Sequence, residues 1–146
     1  MAVRLIASDL DGTLLRTDGT ISARTRTALR RAQEAGILVA LVTGRNPISL
    51  RLVAAEAGVN GLAVCSNGAI IYDPQQDTLR RHLTLDGAVA RRLVAGLRAI
   101  VPDVAFAVER GPLLDWEPPF ARDRGASGAH IPICEDALDL CTDAIT

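Results

Sequence analysis

Three short apolar runs, separated by two helical patterns, constrain the fold of this chain more than any other sequence feature. The runs occupy residues 3–7, 37–42 and 62–65, and Arg4 is the single polar residue within them. Short apolar runs of this kind are typical of buried strands. Strands that alternate with helices run parallel and are joined by right-handed crossovers. The first half of the chain is therefore predicted to be an α/β fold with a doubly wound parallel sheet.

Each helical pattern carries its own boundary signals. Ser22 and Asn46 are typical N-cap residues, and Pro47 suits the first position of the second helix. Gly36 and Gly58 are typical of helix C-termini. One buried stripe per helix is predicted, formed by Ala28, Leu29, Ala32 and Ala35 in the first helix and by Leu50, Val53, Ala54 and Ala57 in the second.

The pattern changes after residue 68. Two strand-like runs, residues 69–72 and 78–82, flank the turn-rich segment DPQQD and predict a hairpin. Residues 86–100 predict a helix, and residues 104–108 predict a strand. The apolar side of that helix is predicted to consist of Val89, Leu93, Val94, Leu97 and Ile100.

Composition argues against several classes of partner. The 16 basic residues, all of them arginine, and the 17 acidic residues leave a formal net charge of −1, which gives no reason to expect a nucleic acid. No apolar run approaches membrane-spanning length, so we expect no membrane partner. Cys65, Cys134 and Cys141 form an odd set without CxxC spacing. This set argues against a disulfide framework or a zinc site and favours a reducing cytoplasm.

Polar residues follow each of the three predicted strands. Asp9 and Asp11 follow the first strand, residues 43–45 (TGR) follow the second, and residues 66–67 (SN) follow the third. In an open parallel sheet, ligands bind beyond the carboxyl ends of the strands. Two nearby carboxylates repel each other unless a cation or a proton intervenes, and magnesium is a cation that shares such sites with phosphate.

The same residues suit phosphate chemistry. The Thr43 hydroxyl, the Gly44 amide and the start of the following helix suit phosphate oxygens, and Arg45 either adds positive charge or points outward. One aspartate can act as a nucleophile, while the other protonates the leaving alcohol and later activates water. An ordinary Asp-Gly turn and a helix-capping loop are the structural alternatives. The convergence of three strand ends favours a site.

These motifs carry a resemblance to a known family. DLDGTLL, followed one strand later by VTGR, resembles the haloacid dehalogenase (HAD)-like hydrolase superfamily. SNGA and the hairpin after it resemble the Cof-type branch of sugar-phosphate phosphatases, in which an α/β cap follows the third core strand. The resemblance covers residues 3–72. It implies that residues 1–68 are the N-terminal part of a HAD-like, Rossmann-like core and that residues 69–146 are part of an inserted α/β cap.

The resemblance also implies roles for individual residues. Asp9 is implied to be the nucleophile and a magnesium ligand. Asp11 is implied to be the general acid/base and to bind magnesium through its backbone carbonyl. Leu10 is implied to offer its backbone amide to phosphate, and Thr43 and Gly44 to form the second phosphate-binding motif.

Four further positions have less specific roles. Gly12 and Thr13 are implied to shape the loop after the first strand. Asn67 lies near the implied cap hinge, where contact with the substrate and hinge-turn chemistry are both open. For Arg45, contact with the substrate and a role outside the site are likewise open.

The sequence departs from the family pattern in two respects. The pattern requires a later lysine and a late acidic motif of the form G-D-x-x-N-D, but this chain has no lysine. The segment CEDALD contains acids without that glycine and asparagine. We therefore expect the chain to be the front part of a longer enzyme.

The predicted function is a magnesium-dependent phosphatase of small phosphorylated metabolites that forms an aspartyl-phosphate intermediate. The alternatives are a phosphomutase of the same architecture and a non-catalytic fragment that binds phosphate or a partner chain. Because half a sheet has an open edge, we also expect self-association through that edge.

Overall fold

The computed structural model describes residues 2–123 and 134–146, and the chain divides into two units, Met1–His82 and Leu83–Thr146. Within the described residues, the strands and α-helices of the first unit are β1 (Leu5–Ser8), α1 (Ala23–Glu34), β2 (Leu38–Val42), α2 (Pro47–Ala57), β3 (Ala63–Cys65), β4 (Ile70–Asp73) and β5 (Thr78–His82). Those of the second unit are α3 (Gly87–Ile100), β6 (Ala107–Arg110), β7 (Leu113–Trp116), α4 (Pro118–Asp123) and α5 (Ala137–Leu140).

Strands β1 to β5 form one sheet in the order in which they occur along the chain. β1, β2 and β3 are parallel, with Leu5 opposite Leu38 and Leu41 opposite Ala63. Helix α1 connects β1 to β2, and α2 connects β2 to β3. The predicted α/β class with parallel strands is therefore confirmed.

The predicted hairpin, formed by β4 and β5, is hydrogen-bonded to the parallel strands. β4 pairs antiparallel with β3, and β5 pairs antiparallel with β4. Tyr72 in β4 is buried, which raises the pKa of its phenol to about 12, and its hydroxyl donates to Asp77 Oδ1 at 2.5 Å. The first unit consequently ends at His82, beyond the predicted domain boundary at residue 68. The assignment of residues 69–146 to a cap stays a prediction.

The predicted N-caps of both helices in the first unit are confirmed. Ser22 Oγ accepts a hydrogen bond from the Thr25 backbone N at 2.9 Å, and Asn46 Oδ1 accepts one from the Ser49 backbone N at 2.9 Å. Each bond satisfies a backbone donor that has no partner within the helix. Gly58 ends α2 in the left-handed conformation, with φ of 65°.

The predicted buried stripes are confirmed for one helix and only in part for the other. All four predicted residues of α2 are buried, but in α1 Leu29 is buried, Ala32 is partly buried, and Ala28 and Ala35 are exposed. Leu29 and Ala32 therefore connect α1 to the core. Together the helices cover one face of the sheet, where their buried residues share a core with Val39, Leu41 and Cys65.

The opposite face of β1 and β2 is apolar and exposed. Leu5 is 55% exposed and Leu38 is 68% exposed, and these two residues are paired across the strands. Val42 lies on the same face as Leu38, four residues along β2, and is also exposed. The prediction that both strands are fully buried is therefore wrong for this face. In the described residues β1 pairs only with β2, so its other side is an open edge.

A buried carboxylate organises the second unit. Glu117 is buried and accepts hydrogen bonds from the backbone N of Phe106 and of Ala137, each at 2.8 Å. Its carboxylate also pairs with Arg98 of α3, whose Nη1 donates to Asp136 Oδ1 at 2.9 Å. One side chain thereby joins segments that are far apart in sequence.

Helix α3 buries only part of the predicted stripe. Val94 is buried as predicted and Val89 is half-buried, whereas Leu93, Leu97 and Ile100 are exposed. The small residues Gly87 and Ala90, which lie outside the predicted stripe, are buried instead. The backbone explains the difference at Gly87, because a Cβ there would lie 2.3 Å from the backbone oxygen of Asp143. The side of α3 with small residues therefore faces the rest of the unit.

Within residues 2–123 and 134–146, none of the helices combines the length and the apolar character that a membrane span requires.

We expect the chain to self-associate through the exposed face of β1 and β2 and the open edge of β1. Burial of a leucine side chain is worth about 1.5–3 kcal/mol, so replacing Leu5 and Leu38 by asparagine should weaken association at least roughly tenfold. Sedimentation velocity at several concentrations measures this change. Leu52→Asn is the matched control, because Leu52 is 74% exposed on α2. A chain that stays monomeric throughout would contradict the expectation.

Replacing Glu117 by glutamine should lower the free energy of unfolding of the second unit by about 2–3 kcal/mol. Glutamine carries no charge for Arg98, and its amide cannot accept from both backbone donors. The single tryptophan, Trp116, lies next to the substitution and reports denaturant unfolding by fluorescence. The same substitution at the exposed Glu135 is the control and should change stability by less than about 0.5 kcal/mol. Equal effects of the two substitutions would refute the role of the buried carboxylate.

Candidate functional site

The loops that follow β1, β2 and β3 meet at the carboxyl ends of these strands. The Thr43 backbone N donates to the Val64 backbone O at 2.8 Å, and the Ser66 backbone N donates to the Arg45 backbone O at 3.0 Å. These bonds join the loop after β2 to the end of β3 and to the loop that follows it. The side chain of Arg45 then reaches Asp11, in the loop after β1.

The loop after β1 alternates an inward leucine with two outward carboxylates. Leu10 is 0% exposed, whereas Asp9 and Asp11 on either side of it are exposed. Residues Leu10–Leu14 form a turn closed by a hydrogen bond from the Leu15 backbone N to the Leu10 backbone O at 2.8 Å. Asp11 and Gly12 are not helical in this turn, and Gly12 has a φ of 75° that favours glycine. Burial of Leu10 thereby fixes the position of both carboxylates at the end of the strand.

Asp9 presents an available carboxylate. It makes no side-chain capping hydrogen bond to the turn that it precedes, and its residue is exposed to solvent. Its backbone oxygen accepts a hydrogen bond from the Ser8 hydroxyl at 2.9 Å. The backbone is therefore held while the carboxylate remains open to a ligand.

Asp11 forms a two-pronged ion pair with Arg45. Arg45 Nε donates to Asp11 Oδ2 at 2.9 Å, and Arg45 Nη2 donates to Asp11 Oδ1 at 2.6 Å. The hydrogen bond from the guanidinium lowers the pKa of the Asp11 carboxyl and raises the pKa of Arg45. The side chains are 34% exposed for Arg45 and 58% exposed for Asp11, so the pair adds only about 0–1 kcal/mol to stability.

Thr43 and Gly44 lie in a tightly packed part of the site. Thr43 is buried, and its Oγ1 accepts a hydrogen bond from the Arg45 backbone N at 3.1 Å. A Cβ at position 44 would lie 2.8 Å from Asn67 Oδ1, so glycine permits this close approach. The Asn67 backbone N also donates to the Thr43 backbone O, at 3.3 Å.

The turn after β3 has a backbone conformation that few residues adopt. Ser66 and Asn67 have φ values of 52° and 53°, in the left-handed region. Asparagine tolerates this region better than most residues do, but serine does so less readily. Strain of this kind collects at functional sites, where the surrounding contacts maintain it.

The donor set at these strand ends fits magnesium better than zinc. Asp9 and Asp11 are two oxygen donors close together in sequence. In the described parts of the chain, no three His, Cys, Asp or Glu side chains are grouped so that they could hold a metal. Magnesium accepts one or two carboxylates and completes its shell with water and phosphate oxygens, whereas a structural zinc site needs four protein ligands.

The structure brings the predicted site residues to one edge of the sheet. Asp11, Thr43, Gly44, Arg45 and Asn67 are linked by the contacts above, and Asp9 and Leu10 adjoin Asp11 in the chain. Their chemical roles stay predictions.

Two features of the site were missed in the sequence. Pairing between Asp11 and Arg45 joins positions 34 apart, and nothing in either local pattern indicates it. Ser66, which follows the third strand, was not assigned a role, although it is buried, strained and bonded to Arg45. Its position directly after a strand was the available signal.

Comparison with known proteins adds independent information. The family model for haloacid dehalogenase-like hydrolases matches residues 6–110. Among curated proteins, the phosphatase YwpJ of Bacillus subtilis is 36% identical over 97 residues, which is 66% of this chain and 34% of that protein. The pyridoxal phosphate phosphatase YbhA of Escherichia coli is 38% identical over 79 residues, which is 54% of this chain and 29% of that protein.

Solved structures show the same relationship. A haloacid dehalogenase-like hydrolase from B. subtilis superimposes with a TM-score of 0.69 and 32% identity, covering 78% of this chain and 39% of that one. SMU.1108c from Streptococcus mutans matches in fold, with a TM-score of 0.81 and 14% identity over 99% of this chain and 55% of its own. The chain spans about a third of the length of the curated relatives it matches. The family model covers more than half of this sequence, and the chain belongs to the haloacid dehalogenase-like hydrolase family.

Proposed function

We propose that this chain supplies the nucleophile and the phosphate-binding loops of a magnesium-dependent phosphatase that acts on small phosphorylated metabolites. The observation that carries the proposal is the open Asp9 carboxylate, fixed at the strand end by the buried Leu10, beside the linked loops that hold Thr43 and Gly44. An exposed carboxylate and groups able to donate to phosphate oxygens at one edge of the sheet support this proposal.

The proposed reaction has two steps. In the first, Asp11 enters as the carboxylic acid, protonated from solvent. A carboxylate oxygen of Asp9 attacks phosphorus, an aspartyl-phosphate forms, and the bond from phosphorus to the leaving alcohol breaks as Asp11 gives that alcohol its proton. In the second, Asp11 takes a proton from water, the water oxygen attacks phosphorus, and inorganic phosphate leaves as the Asp9 carboxylate is regenerated. The overall change is hydrolysis of a phosphate monoester.

The other residues of the site hold the phosphoryl group. The backbone amides of Leu10 and Gly44 and the hydroxyl of Thr43 would donate to its oxygens, as such groups do in other phosphate sites. Asp9 and the backbone carbonyl of Asp11 would hold magnesium. When bound, magnesium would neutralise part of the negative charge shared by the carboxylates and the phosphate.

The names of the relatives support the substrate class. YwpJ is named a phosphatase, and YbhA is named a pyridoxal phosphate phosphatase. A Yersinia pestis protein, 34% identical over 76 residues, is named an HMP-PP phosphatase. Two of these names denote small phosphorylated molecules, which agrees with the proposed substrate class. The absence of nucleic-acid and membrane partners is still a prediction from composition. Location in the cytoplasm is also still a prediction from composition.

Two observations favour a second candidate, a phosphate-binding unit without turnover. The sequence contains no lysine, and no third acidic side chain joins Asp9 and Asp11 within the described residues in a group able to hold a metal. Phosphoryl transfer depends largely on neutralising charge, so a site with fewer cations binds phosphate more readily than it hydrolyses the ester.

Replacing Asp9 by asparagine tests the proposed nucleophile. In the protein expressed from the complete reading frame, it should lower magnesium-dependent hydrolysis of p-nitrophenyl phosphate by at least roughly a thousandfold, because an amide is a poor nucleophile. Asp139→Asn, at an exposed position in α5, is the matched control and should retain full activity. Circular dichroism checks that both variants fold. Substantial activity in Asp9→Asn would exclude Asp9 as the nucleophile.

The 146-residue chain by itself should show at least roughly a hundredfold less turnover than the B. subtilis phosphatase YwpJ under the same conditions. The reason is its lack of a lysine beside the phosphate. Steady-state hydrolysis of p-nitrophenyl phosphate with added magnesium measures the difference. Comparable rates would show that the lysine and the late acidic motif are dispensable.

A further inference from the structure

The backbone of Arg45 is held on both sides, directly beside the proposed phosphate-binding residues. Its N donates to Thr43 Oγ1 at 3.1 Å, and its O accepts from the Ser66 N at 3.0 Å. It follows Gly44 and precedes Asn46, the N-cap of α2. The guanidinium therefore extends from a fixed point one residue from the proposed phosphate contacts.

The side chain of Arg45 is engaged with an exchangeable partner. Two of its five N–H donors contact the two carboxylate oxygens of Asp11, at 2.9 and 2.6 Å. About a third of the arginine side chain is exposed, and more than half of the aspartate side chain is exposed. Water and ligands can therefore compete for both groups.

Phosphate competes for the two engaged N–H donors of the Arg45 guanidinium more strongly than a carboxylate does. Arginine binds carboxylate and phosphate through the same pair of parallel N–H bonds. A phosphate monoester carries up to two negative charges at neutral pH, whereas Asp11 carries one. An ester bound by Thr43 and Gly44 would therefore lie near a guanidinium that it can attract away from Asp11.

We propose that Arg45 exchanges Asp11 for the phosphoryl group when the substrate binds. This inference rests on the proposed function and adds a coupling between two of its steps. While the ion pair is intact, Arg45 contacts both oxygens of Asp11, and the carboxyl cannot give a proton to the leaving alcohol. Substrate binding breaks the ion pair. The same event therefore brings Arg45 onto the phosphate and releases Asp11, the proposed acid/base group.

The exchange predicts a thermodynamic signature with inorganic phosphate as the probe. Binding to the 146-residue chain is measured by isothermal titration calorimetry with magnesium present. Arg45→Gln should weaken phosphate binding at least roughly fivefold, and Arg45→Lys should do so less. Arg51→Gln is the matched control, because Arg51 makes a comparable exposed ion pair at 2.8 Å with Asp77. It should leave phosphate affinity unchanged.

The decisive variant is Asp11→Asn, which removes the partner that phosphate must displace. It should strengthen phosphate binding roughly tenfold when Arg45 is present, but less than about threefold in the Arg45→Gln background. Asp9→Asn removes an equal charge that Arg45 does not contact, so its effect should be the same in both backgrounds. This comparison separates partner exchange from general charge repulsion.

Two results would overturn the inference while leaving the phosphate site in place. The first is that Arg45→Gln and the unaltered chain bind phosphate with equal affinity. The second is that Asp11→Asn strengthens phosphate binding equally with Arg45 present and with Arg45→Gln. If neither the unaltered chain nor Asp11→Asn binds phosphate, the proposed phosphate site fails, and this inference fails with it.

Discussion

Burial of Leu10 is the interaction on which the candidate site depends. Its side chain is fully buried, and its neighbours on both sides are exposed aspartates. The hydrophobic gain from one leucine therefore holds two like charges close together at the end of a strand. This arrangement is unfavourable for the carboxylates alone and becomes favourable when cations are present.

The cation that the chain itself supplies is arginine. Arg45 neutralises Asp11, while Asp9 remains available, so the two aspartates differ in environment although they are two residues apart. Because the ion pair favours the ionised form of Asp11, the proposed role of Asp11 as an acid requires Arg45 to release it first. The backbone of Arg45 is hydrogen-bonded to the loops after β2 and β3. These loops therefore maintain the difference in environment between Asp9 and Asp11.

Local features were predictable from the sequence because their causes are local. The N-caps at Ser22 and Asn46 and the buried stripe of α2 depend on residues a few positions apart. The buried side of α3 was predicted only at Val94 and in part at Val89, because the close backbone approach at Gly87 involves Asp143, which is distant in sequence. The same limit applies to Glu117, whose partners lie in distant segments of the second unit. Convergence of the strand ends was predictable from the topology, but the contact between Asp11 and Arg45 was not.

The close approach between Gly44 and Asn67 has a consequence for how this loop can change over evolution. The space for a Cβ at position 44 is occupied by the side-chain oxygen of Asn67. That oxygen ends an exposed, flexible side chain, so a larger residue at position 44 is accommodated when Asn67 turns its amide away. The two positions are coupled in sequence space, because a larger residue at position 44 also changes the direction of the side chain at position 67.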